Sequence, residues 1–236
     1  MLEYLRNKII MIVVAHPDDE LLGLGATMHR LIVEYNVKTH VVILGEGITS
    51  RSDKRDLELW DAELATHREN IKNAQIAIGF HNTSIFDFPD NRFDTVALLD
   101  IIKVIEEEKN KFQPEVIFTH HGGDVNIDHQ RTFEAVMTAC RPMQEEKVKT
   151  IITFETPSGT EWRSPSDPHH FLPNLFFSVS QKNLDAKIKG MESYEFERRA
   201  YPHPRSPEAL KIQAQRWGVA IGTNLAEAFC LVRSIN

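Results

Sequence analysis

Two short runs carry side chains able to hold a cation and move a proton: His16-Pro17-Asp18-Asp19-Glu20, and His120-His121-Gly122-Gly123-Asp124-Val125-Asn126-Ile127-Asp128-His129. Imidazole and carboxylate without thiolate suit zinc in a catalytic site, where three protein ligands leave the fourth position for water. A His, Asp, His set drawn from both runs would serve. Taken singly, either run reads as ordinary helix capping, because Asp caps helices well and acids favour the first turn. Capping calls for neither successive carboxylates nor a second His-rich loop, so the two runs together point to a metal. Cys140 and Cys230 are the only cysteines, and both sit in apolar text, which argues against a disulfide framework or a Cys-based zinc finger.

The elements around these runs are those of an open α/β sheet. Ile9 to Val14 is a continuous β-branched and apolar run, the mark of a strand buried on both faces of a parallel sheet. It breaks at His16, and Leu21, Leu22, Leu24, Met28, Leu31 and Ile32 then recur at helical spacing up to Tyr35. Further strands are expected at 38–44, 84–88, 115–119, 150–155, 174–180 and 226–232. Helices are expected at 57–78, 95–109, around 133–140, and at 182–193 and 207–220. Alternation of this kind implies right-handed crossovers, and ligands in such sheets bind beyond the carboxyl ends of the strands, where both His-Asp runs fall. The Pro-, Ser- and His-rich stretch 157–173 reads as a surface loop inside one domain spanning 1–236.

Composition narrows the function. The chain has 236 residues, 42% hydrophobic and 26% charged, which excludes disorder. No apolar run is long enough to span a bilayer and no secretory signal is evident, so a cytoplasmic protein is expected. With 27 basic against 34 acidic residues the net charge is −7, the wrong sign for general nucleic-acid binding. Gly23-Leu24-Gly25 lacks the third glycine of a dinucleotide fingerprint and is expected inside a helix as a close-packing site, and no P-loop occurs.

Ala15-His16-Pro17-Asp18-Asp19-Glu20 after a buried strand resembles the signature of the zinc-dependent de-N-acetylases of the LmbE/PIG-L family, and Asp128-His129 opening a helix is similar to its second motif. Weaker likenesses at His67-Arg68-Glu69, at Pro89-Asp90-Asn91-Arg92 and from Ala220 to Phe229 extend it over nearly the whole chain. The resemblance implies a three-layer, Rossmann-like, mostly parallel sheet with helices on both faces. It implies Zn2+ held by His16, Asp19 and His129, with Asp18 as general base on the activated water and Asp128 orienting a neighbouring donor. Glu20 is then a first-turn acid or a supporting partner, not a ligand. Where many members place an oxyanion-stabilising histidine, this chain has Asn126, a neutral donor at most, so His203, His120 and His121 become candidates for that task.

Arg68, Arg92 and Glu46 are the candidate substrate-binding residues, the arginines through their planar forks, with Thr49, Trp162, His169 and His170 as further rim candidates. The expected reaction is removal of the acetyl group from an N-acetylated amino sugar. Two alternatives stay open: a zinc hydrolase of another amide or ester, and a non-catalytic metal- or sugar-binding member of the fold. The expected partner is a small acetamido sugar, and the resemblance also implies a homo-oligomer.

Overall fold

The computed structural model describes residues 1–235. Its strands are β1 (Ile9–Val14), β2 (Lys38–Gly45), β3 (Asn82–Phe88), β4 (Val116–His120), β5 (Thr150–Phe154), β6 (Leu175–Ser178) and β7 (Ala226–Ser234). Its helices are α1 (Leu2–Leu5), α2 (Asp19–Leu22), α3 (Gly25–Tyr35), α4 (Asp61–Ile78), α5 (Leu98–Phe112), α6 (Ile127–Ala139), α7 (Gln181–Ser193) and α8 (Pro207–Ala220). The strands form one seven-stranded sheet in the order β3-β2-β1-β4-β5-β7-β6. The first five in that order run parallel, and β7 pairs antiparallel with both β5 and β6.

Strand periodicity divides the core into two layers. Ile10, Ile12 and Val14 of β1 point to the face covered by α3, α4 and α7, while Met11 and Val13 point to the face covered by α5 and α6. Both faces are therefore buried, which explains the uninterrupted apolar run. No helix among the described residues is long and apolar enough to cross a membrane.

Two expectations need correction. The helix expected to run unbroken to Tyr35 is split: α2 ends at Leu22 and α3 begins at Gly25. A Cβ on Gly23 would lie 2.1 Å from the ring of Phe154, so this glycine lets the helical segment approach β5 closely. The close packing expected there is present, but at a helix break. Second, the helix expected from 57 starts at Asp61, because Asp56 accepts hydrogen bonds from the backbone N–H groups of Glu58 and Leu59 and holds the preceding stretch as turn.

Candidate metal and active site

β1 lies beside β4, with Val13 opposite Thr119, while the chain proceeds from β1 outward to β2 and β3 on the other side. This is the point where strand order reverses, and loops leaving neighbouring strands in opposite directions open a crevice there. The run after β1 and the run after β4 therefore meet although more than a hundred residues separate them. The two strand ends are tied together: the backbone N–H of Ala15 donates to His120 Nε2 at 3.0 Å.

His16, Asp19 and His129 bring ligand atoms within 4.8 Å of one another, and all three are buried. Asp19 Oδ2 is 3.4 Å from both His16 Nδ1 and His129 Nε2. The far nitrogen of each imidazole faces another carboxylate. His16 Nε2 donates to Asp128 Oδ2 at 2.9 Å, and His129 Nδ1 lies 3.2 Å from Asp124 Oδ2. A proton placed on that outer nitrogen leaves the inner lone pair directed at Asp19, the arrangement by which carboxylates orient metal-binding histidines. A second group, His16 with Asp90 and Asp128, also converges, but it would need the His16 nitrogen already bonded to Asp128. Two imidazoles and one carboxylate suit a zinc-like ion with an open position, so the residues present fit the metal that the sequence implied.

Charge follows the same geometry. Burial opposes the charging of His129, but the carboxylates of Asp19 and Asp124 outweigh it and push the imidazole up to about 9. Burial likewise opposes ionisation of Asp19, yet His129 and His120 hold its carboxyl well below the usual range.

Asp18 lines the adjoining cavity of about 270 Å³, together with His16, Asp90, Asn126, His203 and Arg205. Its backbone is left-handed, φ 102°, and its N–H donates to Glu20 Oε2 at 3.1 Å, while Glu20 in turn accepts from the Tyr194 hydroxyl at 2.5 Å. Glu20 therefore supports the turn from behind. Burial pushes the Asp18 carboxyl well above its ordinary value against the pull of Arg205, with repulsion from Glu197, Asp19 and Glu20 adding to the rise.

The other expected residues divide into near and far. Asn126 lines the cavity, but as the cap of α6: its Oδ1 accepts from the Asp128 N–H at 2.8 Å and its Nδ2 donates to Asn91 Oδ1 at 3.1 Å. Asp128 also accepts the backbone N–H groups of Asn91 and Phe93, at 2.6 and 2.8 Å, so it fixes the turn beside the site as well as His16. His203 Nδ1 accepts from the Arg205 N–H at 3.2 Å, which leaves Nε2 as the donor on the cavity rim. His120 stacks on His129 with ring centroids 3.9 Å apart, but its Nε2 is filled by Ala15 and its Nδ1 meets Thr156, so no ring nitrogen is free to donate into the cavity. His121 turns away to the carbonyl of His169. Trp162 is on the cavity wall. Arg92 is exposed and, among the described residues, does not line this cavity; Arg68 and Glu46 line a neighbouring one. Glu46 is already engaged, accepting from Thr49 Oγ1 at 2.6 Å and from Arg55 at 2.8 and 3.0 Å.

Sequence reasoning passed over Asp90, Asp124, Glu197 and Arg205. Asp90 and Asp124 stood inside runs already singled out, and Arg205 stands two residues beyond His203 in the same Pro-rich turn. Glu197, which pairs with Arg205 at 2.7 Å and with Arg51, has no local signal.

Comparison with known proteins bears on the family and the fold. Residues 11–140 match the family model described as PIG-L, GlcNAc-PI de-N-acetylase. An uncharacterized deacetylase of Escherichia coli K12, YaiS, is 29% identical over 195 residues, covering 80% of this chain and 92% of that protein. The N,N'-diacetylchitobiose deacetylase of Pyrococcus horikoshii superposes with a TM-score of 0.71 at 16% identity, covering 96% of this chain and 84% of that one. GalB of Pseudomonas putida KT2440, a 4-carboxy-2-hydroxymuconate hydratase, also superposes at 0.71, with 20% identity and coverage of 97% and 98%. Likeness at these identities fixes the architecture and leaves the chemistry to the site.

Proposed function

We propose, on the premise that this chain belongs to the PIG-L family of GlcNAc-PI de-N-acetylases, that it is a zinc-dependent hydrolase removing the acetyl group from an N-acetylated amino sugar. The observation that carries the metal assignment is the convergence of ligand atoms of His16, Asp19 and His129 within 4.8 Å, with Asp128 hydrogen-bonded to the far nitrogen of His16 and Asp124 lying 3.2 Å from the far nitrogen of His129. The amide substrate is supported by family membership and by Asp18, a buried carboxylate in the same cavity that is not needed as a ligand. A cavity walled by Ser50, Arg51, Asn91 and Glu197 offers hydroxyl partners in the density a sugar requires.

The ion, when bound, would supply Lewis acidity toward the acetamide carbonyl and lower the pKa of water. Asp18 takes a proton from the attacking water and returns it to the leaving nitrogen as the C–N bond breaks, giving acetate and a free amine. Arg205 holds the Asp18 carboxylate from one side. His203, whose free Nε2 carries the ring proton, is the best-placed neutral donor for the oxyanion; Asn126 shares its amide with Asn91.

The deciding experiment combines metal analysis of the purified protein with acetate release from free and conjugated N-acetylglucosamine, nucleotide-linked acetamido sugars and simple amides. One equivalent of zinc and turnover confined to the acetamido sugars support the assignment. Turnover of simple amides alone, or full metal loading with no acetate from any compound, defeats it.

A further inference from the structure

The cavity that holds Asp18 has a polar wall with one large exception. Ser50, Arg51, Asp90, Asn91 and Glu197 present hydroxyl, amide or charge, and among the described residues only Pro17 and Trp162 set apolar side chains against them. Trp162 is 58% exposed. The other two tryptophans are engaged: Trp60 donates its indole N–H to Ser52 Oγ at 2.6 Å, and Trp217 donates to Glu155 and packs on Phe171 and Phe176; Trp162 has neither kind of partner among the described residues. Its backbone, by contrast, is firmly held. Trp162 ends the turn Thr160–Trp162, in which Thr160 Oγ1 donates to Asp124 Oδ2 at 2.6 Å and accepts the Thr156 N–H at 2.8 Å. Glu161 accepts the N–H groups of Ser158 and Gly159, at 2.7 and 3.1 Å, and Ser158 Oγ accepts from Arg205 Nε at 2.7 Å. The stretch is thus tied both to the carboxylate beside His129 and to the guanidinium bonded to Asp18. A stiff indole held bare on a cavity wall loses little freedom when a ligand covers it, and covering it removes a large apolar area from water.

We propose that Trp162 is the platform on which the pyranose ring of the substrate packs, its indole covering the C–H face of the sugar while the polar wall meets the hydroxyls. The inference rests on the acetamido-sugar reading above and adds to it the residue that selects a sugar ring. The class of ligand follows from the make-up of the wall. A glucosamine-type pyranose carries its hydroxyls around the rim and axial C–H bonds on its faces, so it is polar at the edge and apolar on the flat. A cavity that is polar on most sides and bears a single exposed indole matches that division. A simple aryl amide would cover the indole as well, but it offers no hydroxyls to the polar groups around it.

The test follows acetate release from the methyl β-glycoside of N-acetylglucosamine, beside the tryptophan fluorescence of the full chain titrated with the same compound. Trp162→Ala, a change at an exposed position that leaves the core intact, is expected to raise KM about tenfold with kcat nearly unchanged, and Trp162→Phe to recover part of the binding. In the wild type the glycoside should quench or shift the emission, and Trp162→Phe should abolish that change, since among the described residues Trp162 is the one tryptophan on this cavity wall. An unchanged KM in Trp162→Ala, or an emission change that persists in Trp162→Phe, overturns the proposal. So does an emission change produced by acetanilide and not by the glycoside, which assigns the indole to an aryl group. If no acetate is released, the deacetylase assignment fails on its own account and the titration alone decides: a change abolished in Trp162→Phe upholds the platform, and no change in the wild type ends it.

Discussion

The guanidinium of Arg205 meets Oδ2 of Asp18 at 2.9 Å across 187 residues of sequence. The same nitrogen reaches Glu197 at 2.7 Å, and Arg205 Nε donates to Ser158 Oγ at 2.7 Å, so the carboxylate best placed to move a proton is gripped by a side chain that is itself gripped. Removal of Arg205 leaves Asp18 facing Glu197, Asp19 and Glu20 without compensation.

Arg205→Ala is therefore expected to lower kcat by about 10–100-fold at unchanged metal content, with partial recovery in Arg205→Lys, which restores charge but not the fork. Asp18→Asn should lose about 10²–10⁴-fold, the usual contribution of a general base. Steady-state rates beside metal analysis check both, and an Asp18→Asn protein of full activity removes Asp18 from the chemistry.

Metal retention distinguishes ligands from their supports. His16→Ala and His129→Ala should be purified without stoichiometric metal. Asp124→Asn and Asp128→Asn should keep it but bind about 10–100-fold more weakly, because they orient rings and do not coordinate. Competition with a chromophoric chelator measures this series. A His129→Ala protein that retains a full equivalent would shift the assignment to His16, Asp90 and Asp128.

His67 gives a pH dependence of known sign. Its folded pKa of about 4 lies below the ordinary 6.5, so the unfolded chain binds the extra proton. The stability it contributes is complete above about pH 6.5 and is lost as pH falls toward 4, by up to about 3 kcal/mol. Glu20, raised to about 7 by burial, acts oppositely over part of this range, so the informative quantity is the difference between wild type and His67→Phe. Chemical denaturation from pH 7 to pH 4 in chelator should show a shallower acid loss in the variant; parallel curves refute the claim.

Gly23→Ala places a methyl group 2.1 Å from the fully buried Phe154 ring. Overpacking of this kind costs about 1–3 kcal/mol. A thermal melt should record the loss, and an unaltered melting temperature would mean the α2–α3 break moves freely.

Much of this arrangement is legible locally. The apolar run Ile9 to Val14 dictates a central strand by itself, and the two His-Asp runs announce their chemistry because each follows such a strand. The helix break at Gly23 is not legible, since nothing in the periodicity of Leu21 to Ile32 reveals that a phenylalanine from β5 will press there. The same limit hid Arg205 behind His203: a turn rich in proline shows that something is positioned, while which side chain reaches Asp18 depends on packing between distant elements. Arg68 and Glu46 carried signals as polar residues near a functional loop, yet the fold directs both to the apolar neighbour of the cavity that holds Asp18.

The left-handed backbone at Asp18 has a consequence for lineage. Glycine would occupy φ 102° with least strain, so a glycine here would relax the turn while removing the proposed base. If Asp18 is the base, kindred sequences that turn over substrate are expected to keep an acid at this position against the preference of the main chain. Relatives with glycine there are then expected to keep the scaffold without the reaction.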